Sequence, residues 1–254
     1  MIRATLAQVS PKLSKDNITL HEDIIKEQIG KSDIVVFPEL SLNGYLLMDR
    51  VYDDAYIVEE LEVFKTLSSE IDIVLGVALR EGYRIYNSAV YFSEGEIVKI
   101  HHKNNLPNYG MFEEARFFFS GELLESFDTK FGSAMMVVCE DMWSSKIIDN
   151  IAQNKPDILF VIANSPTRGF SDEGLEIEDK WKSVLKTTSI LSGANIIFVN
   201  RVGFEDGLGF WGGSMVVGAN SLVKESLGLF DREIKTVELE KNLSNTQKYM
   251  LRNS

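Results

Sequence analysis

The chain has 254 residues, 44% hydrophobic and 25% charged, which is an ordinary globular composition with enough apolar material for one large core. A formal net charge of −12 argues against nucleic acid and anionic membrane surfaces as partners. One cysteine excludes an internal disulfide framework and a multi-cysteine metal site, and His21, His101 and His102 form no metal spacing with it.

The first strand is expected over Ile2 to Val9. It follows no signal-peptide apolar region, and no apolar run anywhere approaches the roughly 20 residues of a membrane helix. The expectation is therefore a cytoplasmic protein whose thiol stays reduced, folded as a single domain over 1–254. Asp16 to Ile29 reads as an amphipathic helix, with Asp16 as N-cap and Gly30 as C-cap. Asp33 to Glu39 is a short apolar strand that stops at Pro38. A second helix is expected over Asp54 to Ser69, and a buried strand over Ile71 to Leu79. Tyr86 to Phe92 and Glu96 to His102 flank a Ser-Glu-Gly-Glu turn and read as a hairpin.

After a polar, aromatic-rich loop at 104–121, short strands are expected at Ser126 to Thr129 and Ala134 to Cys139. A helix follows at Ser144 to Gln153, then a strand at Asp157 to Ala163. A long helix spans Asp172 to Ser192, and Asn195 to Val202 is a strand. Phe210 to Val217, Ser221 to Glu225 and Thr236 to Glu240 complete the sheets. The polar segment 241–254 reads as a short helix or a tail. Strand–helix units interrupted by hairpins, with about a dozen strands, fit an α/β architecture of two sheets covered by helices, an αββα sandwich.

Cys139 ends the apolar run Ala134 to Val138. Two carboxylates (Glu140, Asp141), Trp143 and a serine pair suited to capping a helix come next. A thiol at the C-terminal end of a core strand is where α/β proteins present reactive groups, and a helix start would favour the thiolate. The alternative is a small buried hydrophobe. Asp141 on its own reads as a satisfier of N–H groups at the helix start.

Two other strand ends carry polar groups, Glu39 in VVFPELSLNGY and Lys103 in IVKIHHKNNLPNYG. Singly, these read as a solvated loop carboxylate and a surface charge. Together with Cys139 they make chemical sense. A carboxylate in a partly desolvated pocket can take the thiol proton, and lysine can hold a developing oxyanion. Such a set performs acyl transfer through a thioester. Strand alternation sends His101 and His102 to opposite faces, so at most one can face the site. Phe117 to Phe119 reads as core or interface, Trp143 as either a pocket wall or helix packing, and the glycines at 203–213 as turns rather than a nucleotide loop.

These contexts, FPEL-S-x-x-GY, HHK and CED-x-W in that order, resemble the carbon–nitrogen hydrolases of the nitrilase superfamily over nearly the whole chain. The resemblance implies Glu39 as general base, Lys103 as oxyanion stabiliser and Cys139 as nucleophile. A second active-site glutamate is implied in Tyr109-Gly-Met-Phe-Glu-Glu114, with Glu114 favoured over Glu113. LPNYGMFEEARFFFSG is most similar to the glutamine-hydrolysing domain of glutamine-dependent NAD synthetases. In that subgroup Tyr109 resembles a glutamine-pocket tyrosine, and Glu140 and Asn164-Ser165-Pro166 with Arg168 match further parts of the pattern. Arg168 can pair with a substrate carboxylate, and Glu140 or another carboxylate with its ammonium.

The expected reaction is hydrolysis of a small linear, glutamine-like amide with no metal or organic cofactor. Substrate-binding residues are expected among Tyr109, Glu113, Glu140, Trp143, Ser165 and Arg168. N-carbamoyl-amine hydrolase, ω-amidase and nitrilase share the triad and stay open, as does an inactive binding protein on this fold. The subgroup's ATP-using domain has no phosphate-binding motif here, so the chain reads either as a free-standing amidase acting on another small amide or as half of a two-protein system with a separate ammonia-accepting enzyme. The family resemblance also implies a homodimer or higher homo-oligomer.

Overall fold

A computed structural model describes residues 1–110, 112–122, 124–172 and 174–240; the polar segment 241–254 lies outside the described residues. In chain order the first half comprises β1 (Ile2–Gln8), α1 (Asn17–Gln28), β2 (Ile34–Val36), α2 (Val51–Asp54), α3 (Glu62–Leu67), β3 (Asp72–Glu81), β4 (Arg84–Ser93), β5 (Glu96–His102) and α4 (Glu114–Phe117). The second comprises β6 (Phe127–Thr129), β7 (Gly132–Val138), α5 (Ser145–Asn154), β8 (Ile158–Ala163), β9 (Phe170–Ser171), β10 (Gly174–Leu175), α6 (Glu176–Ser192), β11 (Asn195–Asn200), β12 (Val202–Glu205), β13 (Leu208–Trp211), β14 (Met215–Val217), β15 (Val223–Ser226) and β16 (Glu233–Leu239).

Two six-stranded sheets result, ordered β16-β1-β2-β3-β4-β5 and β15-β14-β11-β8-β7-β6. Their centres, β1-β2-β3 and β7-β8-β11, are parallel, and antiparallel strands close the edges. Parallel strands need crossovers, and α1, α5 and α6 supply them. Side-chain alternation then decides the layers. Leu6, Val36 and Val74 of one sheet meet Met136, Val138, Phe160 and Ile162 of the other in a shared core. The intervening residues face outward. Val35, Ile73 and Leu75 pack on Ile24, Ile25 and Phe64 of α1 and α3. Met135, Val137, Leu159 and Phe198 pack on Ile151, Trp181 and Leu185 of α5 and α6. Strands covered on both faces must be apolar throughout, which is why these segments read as unbroken hydrophobic runs. The four layers are helix, sheet, sheet, helix, and each fully buried large aliphatic side chain contributes about 1.5–3 kcal/mol.

Three expected elements differ. The Asp54 to Ser69 helix is broken, because Tyr56 runs beside β3: its N–H donates to Ala78 O (2.9 Å) and its carbonyl accepts from Arg80 N (2.7 Å). Only a 3-10 turn at Val58–Leu61 and the short α3 remain helical there. The helix expected from Asp172 starts at Glu176, since β9 and β10 fold the preceding residues into a small hairpin. The Phe210 to Val217 strand is split by Gly212 and Gly213, both at positive φ (73° and 59°), so β13 pairs with β12 while β14 joins the second sheet. At the caps, Asp16 and Ser144 occupy N-cap positions without a side-chain cap bond.

Candidate active site

The two sheets place three strand ends together. Glu39 follows β2 beyond Pro38, Lys103 follows β5, and Cys139 follows β7. The Glu39 turn lies against Gly76 of β3, where a Cβ would fall 2.4 Å from both Pro38 O and Leu40 N. Any larger residue at 76 would push the turn away. Leu40 (φ 46°) and Cys139 (φ 44°) both adopt left-handed backbone, which costs a non-glycine residue about 1–3 kcal/mol. Both lie at this site: one follows the carboxylate and the other carries the thiol. Cys139 opens a five-residue 3-10 turn, Cys139–Trp143, rather than the expected helix start.

Every charged group at the floor has hydrogen-bond partners. Glu39 is fully buried, and its Oε1 accepts from Lys103 Nζ (2.7 Å) and Asn87 Nδ2 (2.7 Å). Its Oε2 accepts from the backbone N–H of Asn164 (2.7 Å). Lys103 Nζ also donates to Glu114 Oε1 and Oε2 at 2.9 and 2.8 Å, and Tyr45 Oη donates to Glu114 Oε1 at 2.9 Å. One ammonium therefore bridges two carboxylates.

Burial alone would depress the Lys103 ammonium, but Glu114 and Glu39 outweigh it and hold the group well above the ordinary lysine range. Burial pushes the Glu114 carboxyl up to about 7 against the pull of Lys103, with Glu39 adding to the rise. Burial and then Glu39 push the Cys139 thiol well up, and Lys103 only partly opposes them. The helix start expected to favour a thiolate is a turn too short to carry a helix dipole, and burial with Glu39 against Lys103 favours the thiol, the form whose proton a carboxylate can take.

Above this floor opens a cavity of about 290 Å³, lined by Cys139, Glu114, Tyr109, Glu140, Trp143, Ser165 and Arg168 among others. Tyr109 Oη donates to both oxygens of Glu140 (3.0 and 3.1 Å). Burial raises the Glu140 carboxyl, while the Tyr109 bond pulls the other way. Arg168 stacks its guanidinium 4.8 Å from the Phe112 ring centre. Trp143 packs edge-on against Trp181 of α6 (5.1 Å) and lines the cavity as well. Ser165 Oγ accepts from Trp181 Nε1 (2.9 Å) and its N–H donates to Asn200 Oδ1 (2.8 Å).

Glu113 stands apart. It is half-exposed and pairs with Arg116 at 3.6 Å, whereas Glu114 is buried against Lys103. Of the two histidines, His101 turns inward to Asp141, while His102 stacks on Tyr86 at 3.9 Å. Sequence reasoning missed Tyr45 and Asn87, which touch the two buried carboxylates. Tyr45 lies in the GY of the Glu39 context. Asn87 lies on β4 beside the strand that ends in Lys103, and its backbone carbonyl accepts from Lys103 N (2.8 Å). Only that pairing would have revealed it. Among the described residues no His, Cys, Asp and Glu group is arranged to hold a metal ion. A thiol beside a buried carboxylate and an ammonium can exchange a proton and stabilise a tetrahedral oxyanion.

Residues 3–249 match the family model described as carbon-nitrogen hydrolase. The chain is 30% identical over 249 residues to the glutamine-dependent NAD(+) synthetase of Thermotoga maritima, covering 94% of this chain and 42% of that protein. It is 28% identical over 252 residues to the Acinetobacter baylyi protein of the same name, covering 94% and 44%. The chain thus spans less than half the length of these relatives. Among solved structures it superposes on a carbon-nitrogen hydrolase from Helicobacter pylori with a TM-score of 0.85 and 22% identity, covering 99% and 92% of the two chains. A Nesterenkonia amidase variant with the acetamide moiety of fluoroacetamide added covalently at its active-site cysteine gives 0.81 and 20%, covering 99% and 92%. At these identities the structural likeness is one of fold.

Proposed function

The chain belongs to the carbon–nitrogen hydrolase family, and from that premise we propose that it hydrolyses a small linear, glutamine-like amide through a thioester on Cys139. The observation that carries this reading is the buried Glu39–Lys103–Glu114 cluster, whose Glu114 lines the same cavity as Cys139 and whose Glu39 and Lys103 act electrostatically on the thiol.

The resting thiol must lose its proton as it attacks. Glu39 takes that proton while Sγ bonds to the amide carbon and the carbonyl electron pair moves onto oxygen. Lys103 faces the oxyanion, and Glu114, with Tyr45, fixes the ammonium. On collapse the C=O bond reforms, the C–N bond breaks, and the leaving nitrogen takes the proton from Glu39. Water then gives a proton to Glu39 and attacks the thioester carbon. The C–S bond breaks and sulfur recovers that proton, which restores the starting state.

The glutamine-like preference rests on the mouth. Arg168 has a planar fork suited to a carboxylate, and Glu140 carries a carboxylate suited to an ammonium, and both line one cavity. A glutamine-like amide carries both groups.

The test is ammonia release from purified protein offered glutamine, asparagine, N-carbamoyl amines, short aliphatic amides and nitriles, with Cys139→Ala as the blank. Cysteine-dependent release from glutamine supports the whole reading. Release from another substrate alone removes the glutamine preference and keeps the mechanism. No release from any of them counts against a free-standing hydrolase.

A further inference from the structure

Lys103 follows β5, the edge strand of one sheet, and Cys139 follows β7, which lies next to the edge strand β6 of the other. Apolar packing between sheets is non-directional and does not by itself fix how one slides over the other. The reaction does need a fixed separation, since an error of about 1 Å between reacting groups can cost about 10²-fold in rate.

Asp141 spans that gap. It is fully buried, and its carboxylate collects donors from both sides. Oδ1 accepts from the backbone N–H of Asn104 (3.0 Å) and Asn105 (2.9 Å) and from Asn105 Nδ2 (3.1 Å). Oδ2 accepts from His101 Nε2 (3.1 Å) and from the backbone N–H of Val138 (3.1 Å). Three of the residues bonded flank Lys103, namely His101, Asn104 and Asn105. The fourth, Val138, immediately precedes Cys139. A helix-start carboxylate would have needed only the Val138 bond. The other four hydrogen bonds go to the opposite sheet's edge.

We propose that Asp141 is a positioning residue that locks the lysine-bearing strand end to the nucleophile turn across the two sheets, with His101 as its side-chain partner. This rests on reading Cys139 and Lys103 as reacting partners. Burial would raise the Asp141 carboxyl, but His101 and the backbone donors outweigh it and keep the group ionised. An ionised carboxylate is the form able to accept all of these bonds. An asparagine of the same shape has one acceptor oxygen, and its NH₂ would face N–H groups, so one side of the lock must open.

The chain's single cysteine allows a test that needs no knowledge of the natural amide. Iodoacetamide alkylation of Cys139 is followed by intact mass across a pH series, beside thermal melting. Because Lys103 opposes the rise of the thiol, loosening it should slow alkylation of folded Asp141→Asn at neutral pH by about tenfold or more and move the profile to higher pH. An alkylation profile superimposable on wild type, with only the melting temperature lowered, would make Asp141 merely structural and overturn the proposal. Should Asp141→Asn not fold, the His101 pair decides. His101→Ala should slow alkylation about threefold or more, and His101→Gln, which keeps a donor, should restore it. An unchanged His101→Ala would also overturn the proposal. An ammonia panel without any turnover would leave these readouts intact, so the two failures are distinguishable.

Discussion

The floor and the mouth of the cavity are built on different terms. At the floor, Glu39 and Lys103 are almost inaccessible, Glu114 is buried, and each ion has at least two partners. At the mouth, Tyr109 is 52% exposed and Trp143 42%, Glu140 is bonded by a neutral phenol, and Arg168 leans on a ring. A saturated, desolvated cluster resists change, because removing one member leaves a buried charge uncompensated. A half-exposed rim can be altered at small cost. Under the proposed reaction, the floor would set the chemistry and the rim would select the amide.

Lys103→Ala should show the largest effect and breaks the comparison if it does not. It strands Glu39 and Glu114, so we expect turnover to fall by about 10²-fold or more. Stability should fall by about 3–5 kcal/mol, read from denaturant midpoints. A loss below about tenfold would remove the lysine from the oxyanion role.

Glu114 comes next. Its carboxyl ionises near pH 7 in the fold against an ordinary 4.5, so between those values the folded chain keeps a proton that the unfolded chain has released. This group's contribution to stability therefore falls as pH rises from 4.5 to about 7. Activity, which needs the carboxylate on Lys103, should rise through the same upper limit. Glu114→Gln should flatten both slopes and lower turnover by roughly 10²-fold. A limb that persists in this variant assigns the titration elsewhere.

At the rim, Arg168→Ala should raise KM for a glutamine-like amide about tenfold and change kcat less than about threefold. A matching fall in kcat would place Arg168 with the floor. The smallest effect is expected for Tyr109→Phe, which removes only the phenol bond to Glu140 and should shift KM about threefold or less.

Most of the layering was legible because strands covered on both faces must be apolar, as in Ile158–Ala163 and Asn195–Asn200. The site was legible where a polar or reactive residue followed the end of a strand, as at Glu39, Lys103 and Cys139. What stayed hidden depends on pairing between distant segments. Tyr56 leaves its helix pattern because β3 offers it backbone bonds, and Asn87 reaches Glu39 only because β4 pairs with β3, against which the Glu39 turn lies. The helix start expected just after Cys139 was also misread, since a strand-end motif does not reveal the 3-10 turn at Cys139–Trp143. The mouth was legible only through resemblance, because Arg168, Glu140 and Tyr109 follow no period that sets them apart from a solvated surface.

The most direct measurement of the central claim is the intact mass of the chain, acid-quenched milliseconds after mixing with the best amide of the panel. The account predicts a transient gain equal to the substrate's acyl group, with ammonia lost, localised to residue 139 and absent in Cys139→Ala. Steady ammonia release with no such adduct, undiminished in Cys139→Ala, would contradict it.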